Sequence, residues 1–359
     1  MRPKPGAERS RRILAVIVIA AQLAIGCSAR QPASSGHAAV PSPASSAIAG
    51  GTPVVPSEAA AAPSGPYDGV AIVRVDAQVF AAGGADVGYL GISASSVWAA
   101  TIDGLVRIDP KTRVVQQIDH GAHFGIAVTG NAVWTSDPDP GIVARFDPVS
   151  GTQTAQVELI GYPESMAIID DSVWVAQHWR GSVTRIGEPS GTVIAQVEVG
   201  PAGRGGPHGV TATEDAVWVG VTNSKSVVRI DPATNGVVAT IPTTASPCGG
   251  IAVQPRAVWI SSCFDDQFVV RIDPSTNRNV AEIDVGGNNG GAMIVDDYPW
   301  FPVANHLVRI DPATNRVDRI VEFTNEPFEG YGSAVGFNAA WIGGFNGVVA
   351  RVPIDALKD

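Results

Sequence analysis

His208, in Gly206-Pro207-His208-Gly209-Val210, is the residue of this chain best suited to chemistry and its one catalytic candidate. An imidazole titrates near neutrality, so beside a carboxylate it can hold a divalent metal or move a proton as a general acid or base. Glu164 and His123 are the groups expected to approach it, with a solvated histidine bonded to a neighbouring loop as the alternative. His178-Trp179-Arg180 carries the tryptophan that stands outside the repeat described below. An aromatic ring beside a guanidinium in a loop is a recognition element, or else a loop-packing one. Cys248 and Cys263 lie symmetrically about a turn at Pro255-Arg256. Two paired strands would bring them face to face, which predicts a disulfide contributing about 3 kcal/mol for a 15-residue loop. A zinc site would need further cysteines or histidines at short spacing, and none is near, so no metal ligand set is assigned.

The elements that must position these groups are marked by Trp98, Trp134, Trp174, Trp218, Trp259, Trp300 and Trp341, spaced 36, 40, 44, 41, 41 and 41 residues apart. Around each recurs G-I-A-V, a short turn, A-V-W, a variable stretch, V-V-R-I-D-P-x-T and a closing apolar run. Self-similarity at this period with four short apolar runs per unit predicts an all-β propeller of seven four-stranded antiparallel blades over 67–359. The seventh unit stops at Val348-Val349-Ala350-Arg351-Val352, whereas strand-like residues precede the first unit at Val70–Val75 and Gln78–Phe80. The amino-terminal segment should therefore complete the last blade and remove the open edges. In D-P-x-T the acid accepts backbone hydrogen bonds and the proline fixes φ, so these acids are turn residues rather than a metal ring. The tryptophans are core between sheets. Alignment on them places Leu90, Phe124, Glu164, His208, Gly249, Gly290 and Tyr331 at one level of the channel mouth, with the post-tryptophan loops above. Tyr331 joins His123, Glu164, His178, Trp179, Arg180 and His208 as a ligand-binding candidate, because loops held on a repeating scaffold are where selectivity is encoded.

Apolar residues make up 45% of the chain and charged ones 16%, with 40 Gly and 27 Pro, a balance that favours buried strands and tight turns over helical repeats. Ahead of the propeller, Arg9, Arg11 and Arg12 precede an apolar run from Ile13 to Ile25 that ends at Gly26-Cys27. The run is too short to span a bilayer and resembles a bacterial lipoprotein signal over 1–26, with lipid attached at Cys27; an ordinary secretory signal is the alternative. Residues 27–66 are mostly Ala, Ser, Pro and Gly and are expected to form a disordered tether. Cleavage before Cys27 removes five of 24 basic and one of 34 acidic residues, leaving 19 against 33 and a net charge of −14. That sign repels phosphate backbones, so nucleic acid is not an expected partner. The expected setting is the cell envelope, outside the cytoplasm, with a membrane contact through the lipid and a monomeric propeller.

The nearly complete V-W-V…V-V-R-I-D-P-A-T-N-x-V-V-A-T-I from Val217 to Ile241, with Pro207-His208-Gly209 before it, resembles the YncE/YVTN-type and streptogramin (virginiamycin B) lyase-like seven-bladed propellers. The resemblance covers nearly all of 67–359 and rests on strand and turn residues. It implies a magnesium-dependent opening of a cyclic depsipeptide by a histidine and glutamates, and His208 matches the P-H-G histidine. At the glutamate position three residues after each tryptophan stand Thr101, Asp137, Gln177, Val221, Ser262, Val303 and Gly344. Without those oxygen ligands a magnesium site is not expected, and no cofactor is assigned outside the lyase alternative. No G-x-S-x-G, H-E-x-x-H, P-loop or EF-hand pattern stands out. The reading is a propeller that binds a ligand or an envelope protein at its mouth without catalysis; the alternatives are a lyase-like C–O lyase and a structural scaffold.

Overall fold

A computed structural model describes residues 66–83, 86–263, 266–287, 290–324 and 330–359. The leader over 1–26, the lipid site Cys27 and nearly all of the tether lie outside the described residues.

Seven antiparallel sheets follow one another along the chain, each running from an inner to an outer strand. Blade 1 spans 87–119, blade 2 126–158, blade 3 163–198, blade 4 207–242, blade 5 247–284, blade 6 293–323 and blade 7 330–353. The missing outer strand of blade 7 is supplied by Gln78–Ala81, which pairs with Val348 to Arg351. Closure by the amino-terminal segment is therefore observed. One addition was not foreseen: Ala71–Val75 lies parallel to the outer strand of blade 6, from Arg319 to Phe323, and makes that sheet five-stranded.

The seven repeat tryptophans are at most 1% exposed. Each packs forward onto the next blade. Trp174 meets Val217, Val219 and Val228 of blade 4, and Trp218 meets Val258, Ile260 and Val270 of blade 5. Trp341 of blade 7 meets Val97, Val106 and Ile108 of blade 1, which closes the circle. At 150–250 Å² per indole and ~25 cal/mol per Å², each such burial contributes about 4–6 kcal/mol before entropy is counted.

The arginine of V-V-R-I-D-P explains the rest of the motif. Arg229 lies over Trp218 at 5.2 Å and donates from Nη1 to the carbonyl of Pro274 and to Asn277 Oδ1 in the next blade's turn. Arg185 and Arg271 do the same to Pro232 with Asn235 and to Pro312 with Asn315. Arg107 reaches Pro148 and Val149, and Arg145 reaches Glu188, the residue standing where the turn aspartate fades. Asp109, Asp147, Asp231 and Asp273 accept from the backbone two residues on. Bonds from the backbone of Thr112 and Ser150 and from the hydroxyls of Thr234 and Ser275 lead in holding the four carboxyls below the usual range. The turn reading of these acids is upheld.

Candidate functional site

Most inner strands begin with a bulge. Register shifts between Val87 and Leu90, Pro163 and Met166, Pro207 and Val210, Pro247 and Ile251, and Gly330 and Ser333. A bulge leaves residues outside the ladder and re-aims their side chains. Here the freed residues include Tyr89, Glu164, His208, Cys248 and Tyr331, which gather near the axis. The bulge also explains a misplacement. Leu90, expected at the mouth, pairs with Ala99 and packs in the core, while Tyr89 takes the channel place. The backbones approach so closely that a side chain on Gly125 would overlap the carbonyl of Glu164.

Three of the expected site residues converge. Glu164 Oε2 lies 3.3 Å from His178 Nδ1 and 3.4 Å from His208 Nε2, and the two imidazoles stand edge to face at 5.4 Å. Glu164 is 6% exposed. His178 comes from the loop after Trp174, and its Nε2 accepts the backbone N–H of Gly205 at 3.0 Å. That bond leaves the proton of the neutral ring on Nδ1, the nitrogen facing Glu164. The approaches are close but not aligned: Glu164 Oε2 and His178 Nδ1 are buried without a hydrogen-bond partner, and so is His208 Nδ1, the ring nitrogen that does not face Glu164.

Burial dominates the electrostatics. It pushes the Glu164 carboxyl well above its usual range, pulls His178 down to about 4, and, with some repulsion from His178, pulls His208 down to about 3. Charge is expensive here, so the trio prefers a neutral carboxyl between neutral imidazoles.

An aromatic wall faces the trio. Tyr89 lies 5.6 Å from both Phe124 and Tyr331, and Phe124 lies 6.4 Å from His208. Burial raises both tyrosines above their usual range. Farther out, Tyr162 stacks on Trp179 at 4.3 Å with 16° between planes, and Phe345 lies 5.1 Å from Tyr331. Trp179 and Phe345 are each 41% exposed, so flat apolar faces rim the mouth above the polar trio. Arg180 is exposed beside this platform.

His123 does not join the trio. Its Nε2 lies 3.0 Å from Asp119 Oδ2 and its ring packs edge-on to Phe146, between blades 1 and 2. The histidine bond is the first cause of Asp119 falling to about 2. Tyr89 and Tyr162 were missed, the first because of the bulge and the second because a turn tyrosine carries no local mark. The Cys248–Cys263 disulfide is present, with Cα atoms 5.0 Å apart. Sequence spacing put no metal ligand near these cysteines, yet a nitrogen of His208 and both sulfurs lie within 4.8 Å of one another.

No family model matches the chain, and no curated protein matches its sequence. Among solved structures, a streptogramin B lyase is similar at 16% identity and a TM-score of 0.66, covering 77% of this chain and 97% of that one. A catalytically inactive virginiamycin B lyase from Staphylococcus aureus, with quinupristin, aligns at 15% identity and TM-score 0.65, covering 77% and 99%. A chain of the mitotic checkpoint complex aligns equally well, at 11% identity and TM-score 0.66 over 77% and 90%. The likeness is one of fold. Chains with unrelated roles share it to the same degree, so the site must carry any functional argument.

Proposed function

We propose that this chain is a cell-envelope lipoprotein, anchored through Cys27, whose propeller binds a small ligand at the channel mouth without transforming it. The observation that carries this reading is the meeting of Glu164, His178 and His208 beneath the stacked Tyr162–Trp179 pair. A concave site with a few convergent polar atoms below exposed aromatic faces suits a ligand that offers a ring to the rim and hydrogen-bonding groups to the floor. Absence of a glutamate at every described position three after a repeat tryptophan weighs against the magnesium chemistry of the lyase. The acidic net charge argues against nucleic acid, and the covering of Val348 to Arg351 by Gln78–Ala81 within the same chain suits a monomer.

One observation favours the lyase reading as second. His208 is neutral, mostly enclosed and 3.4 Å from a carboxyl, the arrangement of a general base. A single experiment separates the two. Ligand-observed NMR with aromatic fragments and quinupristin should give binding that Trp179→Ala and His208→Ala both abolish, with quinupristin recovered intact. Linear product that disappears with His208→Ala would replace binding by catalysis. No site-dependent binder in the set would overturn both and leave a scaffold.

A further inference from the structure

Cys248 leaves the bulge of blade 5's inner strand, and Cys263 follows that blade's tryptophan strand. The adjacent blade delivers His208 to the same place, so three donor atoms lie within 4.8 Å of one another. Both cysteines are buried, at 3% and 7% exposure, and the described sequence around them offers no other disulfide partner. His208 also keeps a buried Nδ1 without a hydrogen-bond partner. A structural disulfide needs no imidazole beside it, and a solvated histidine needs no sulfurs.

We propose that His208, Cys248 and Cys263 form a redox-gated zinc site: closed while the two sulfurs are bonded to each other, and metal-binding once a dithiol reductant has opened them. In the opening step the reductant gives two electrons and two protons to the disulfide, becomes a disulfide itself, and leaves two thiols. Zinc then displaces both thiol protons and takes two thiolates and one neutral imidazole nitrogen. With Zn–S bonds of about 2.3 Å, tetrahedral geometry sets the sulfurs about 3.8 Å apart. Rotation about the two Cα–Cβ bonds, with Cα atoms 5.0 Å apart, supplies that separation. Two thiolates and an imidazole select a soft or borderline ion over magnesium or calcium. Three protein ligands leave a fourth position of the tetrahedron for a water or an added ligand. The inference shares His208 with the ligand site but does not depend on ligand binding there.

The test uses the full chain carrying Cys27→Ser, so that only the pair in the propeller can respond. Oxidised and dithiol-reduced protein, freed of reductant without air, is titrated with cobalt(II) and then with zinc(II). The reduced chain should develop thiolate-to-cobalt charge-transfer absorption saturating at one ion per chain and erased by zinc, while the oxidised chain shows none. His208→Ala should weaken cobalt binding about tenfold or more, and the double variant Cys248→Ser, Cys263→Ser should abolish the band while keeping the native tryptophan spectrum. A reduced chain without the band, a band indifferent to His208→Ala, or loss of the native tryptophan spectrum on reduction would each overturn the proposal.

Discussion

Replacing Glu164 by Gln should change how stability depends on pH more than it changes stability itself. In the folded chain His178 and His208 titrate at about 4 and about 3, below the ~6.5 of an unfolded imidazole. As pH rises toward 6.5 the unfolded state is the one still binding protons, so these two groups make the fold more stable up to about that pH and nothing beyond it. Glu164 acts in the opposite direction. Its folded carboxyl is raised, so above about 4.5 the native state holds a proton that the unfolded chain has released, and stability falls until the folded carboxyl ionises. Above pH 6.5 that falling limb stands alone among the three, at about 1.4 kcal/mol per pH unit. Over the pH range in which the folded carboxyl keeps its proton, the wild type should lose stability relative to Glu164→Gln, whose amide cannot ionise, by at most about 1.4 kcal/mol per pH unit. Urea unfolding followed by the buried tryptophans, with the disulfide kept oxidised, measures the difference at each pH. A difference that stays flat from pH 6.5 to 8 would mean that the folded trio holds no proton the unfolded chain has released, with Glu164 ionised beside neutral imidazoles, and that the neutral carboxyl is wrong.

Other perturbations address the frame. Trp218→Ala removes an indole 1% exposed between blades 4 and 5 and should cost about 3–5 kcal/mol in the same denaturation assay. Asn277→Ala deletes the side-chain acceptor that Arg229 uses across the blade boundary, and a loss of about 1–2 kcal/mol is expected; Arg229→Ala combined with it should add less than the sum of the two. Cys248→Ser with Cys263→Ser should lower unfolding free energy by about 3 kcal/mol for a 15-residue span. Val79→Pro, in the strand that completes blade 7, should lower the thermal midpoint and hasten proteolysis of 330–353.

The frame was legible because its signals are local. A tryptophan repeating every ~41 residues and an aspartate before a turn proline each carry a physical reason within a few residues of themselves. Glu164 and His208 could be found by counting back from their tryptophans, and His178 by its place just after one. His123 failed the same reasoning for a simple geometric cause: neighbouring residues of an extended chain point to opposite sides, and Phe124 already faces the axis. Tyr89 was hidden by the bulge, which slips the inner strand of blade 1 relative to its partner. The approach of His208 to the cysteines had no sequence mark at all. It joins residues 40 positions apart, from two blades whose spacing is set by indole packing rather than by the chain.

The added strand at Ala71–Val75 has a mechanical meaning. It hangs on the rim of blade 6 through five parallel residue pairs, and only then does the chain cross to Gln78–Ala81 to seal blade 7. Tension arriving from the amino-terminal side must therefore shear the first ladder before it can peel the second. The weakest joint of the circle is thus placed downstream of a strain relief, much as a cable is clamped to a housing ahead of its solder point. A chain pulled by that end should yield in two steps, with the ring still shut after the first.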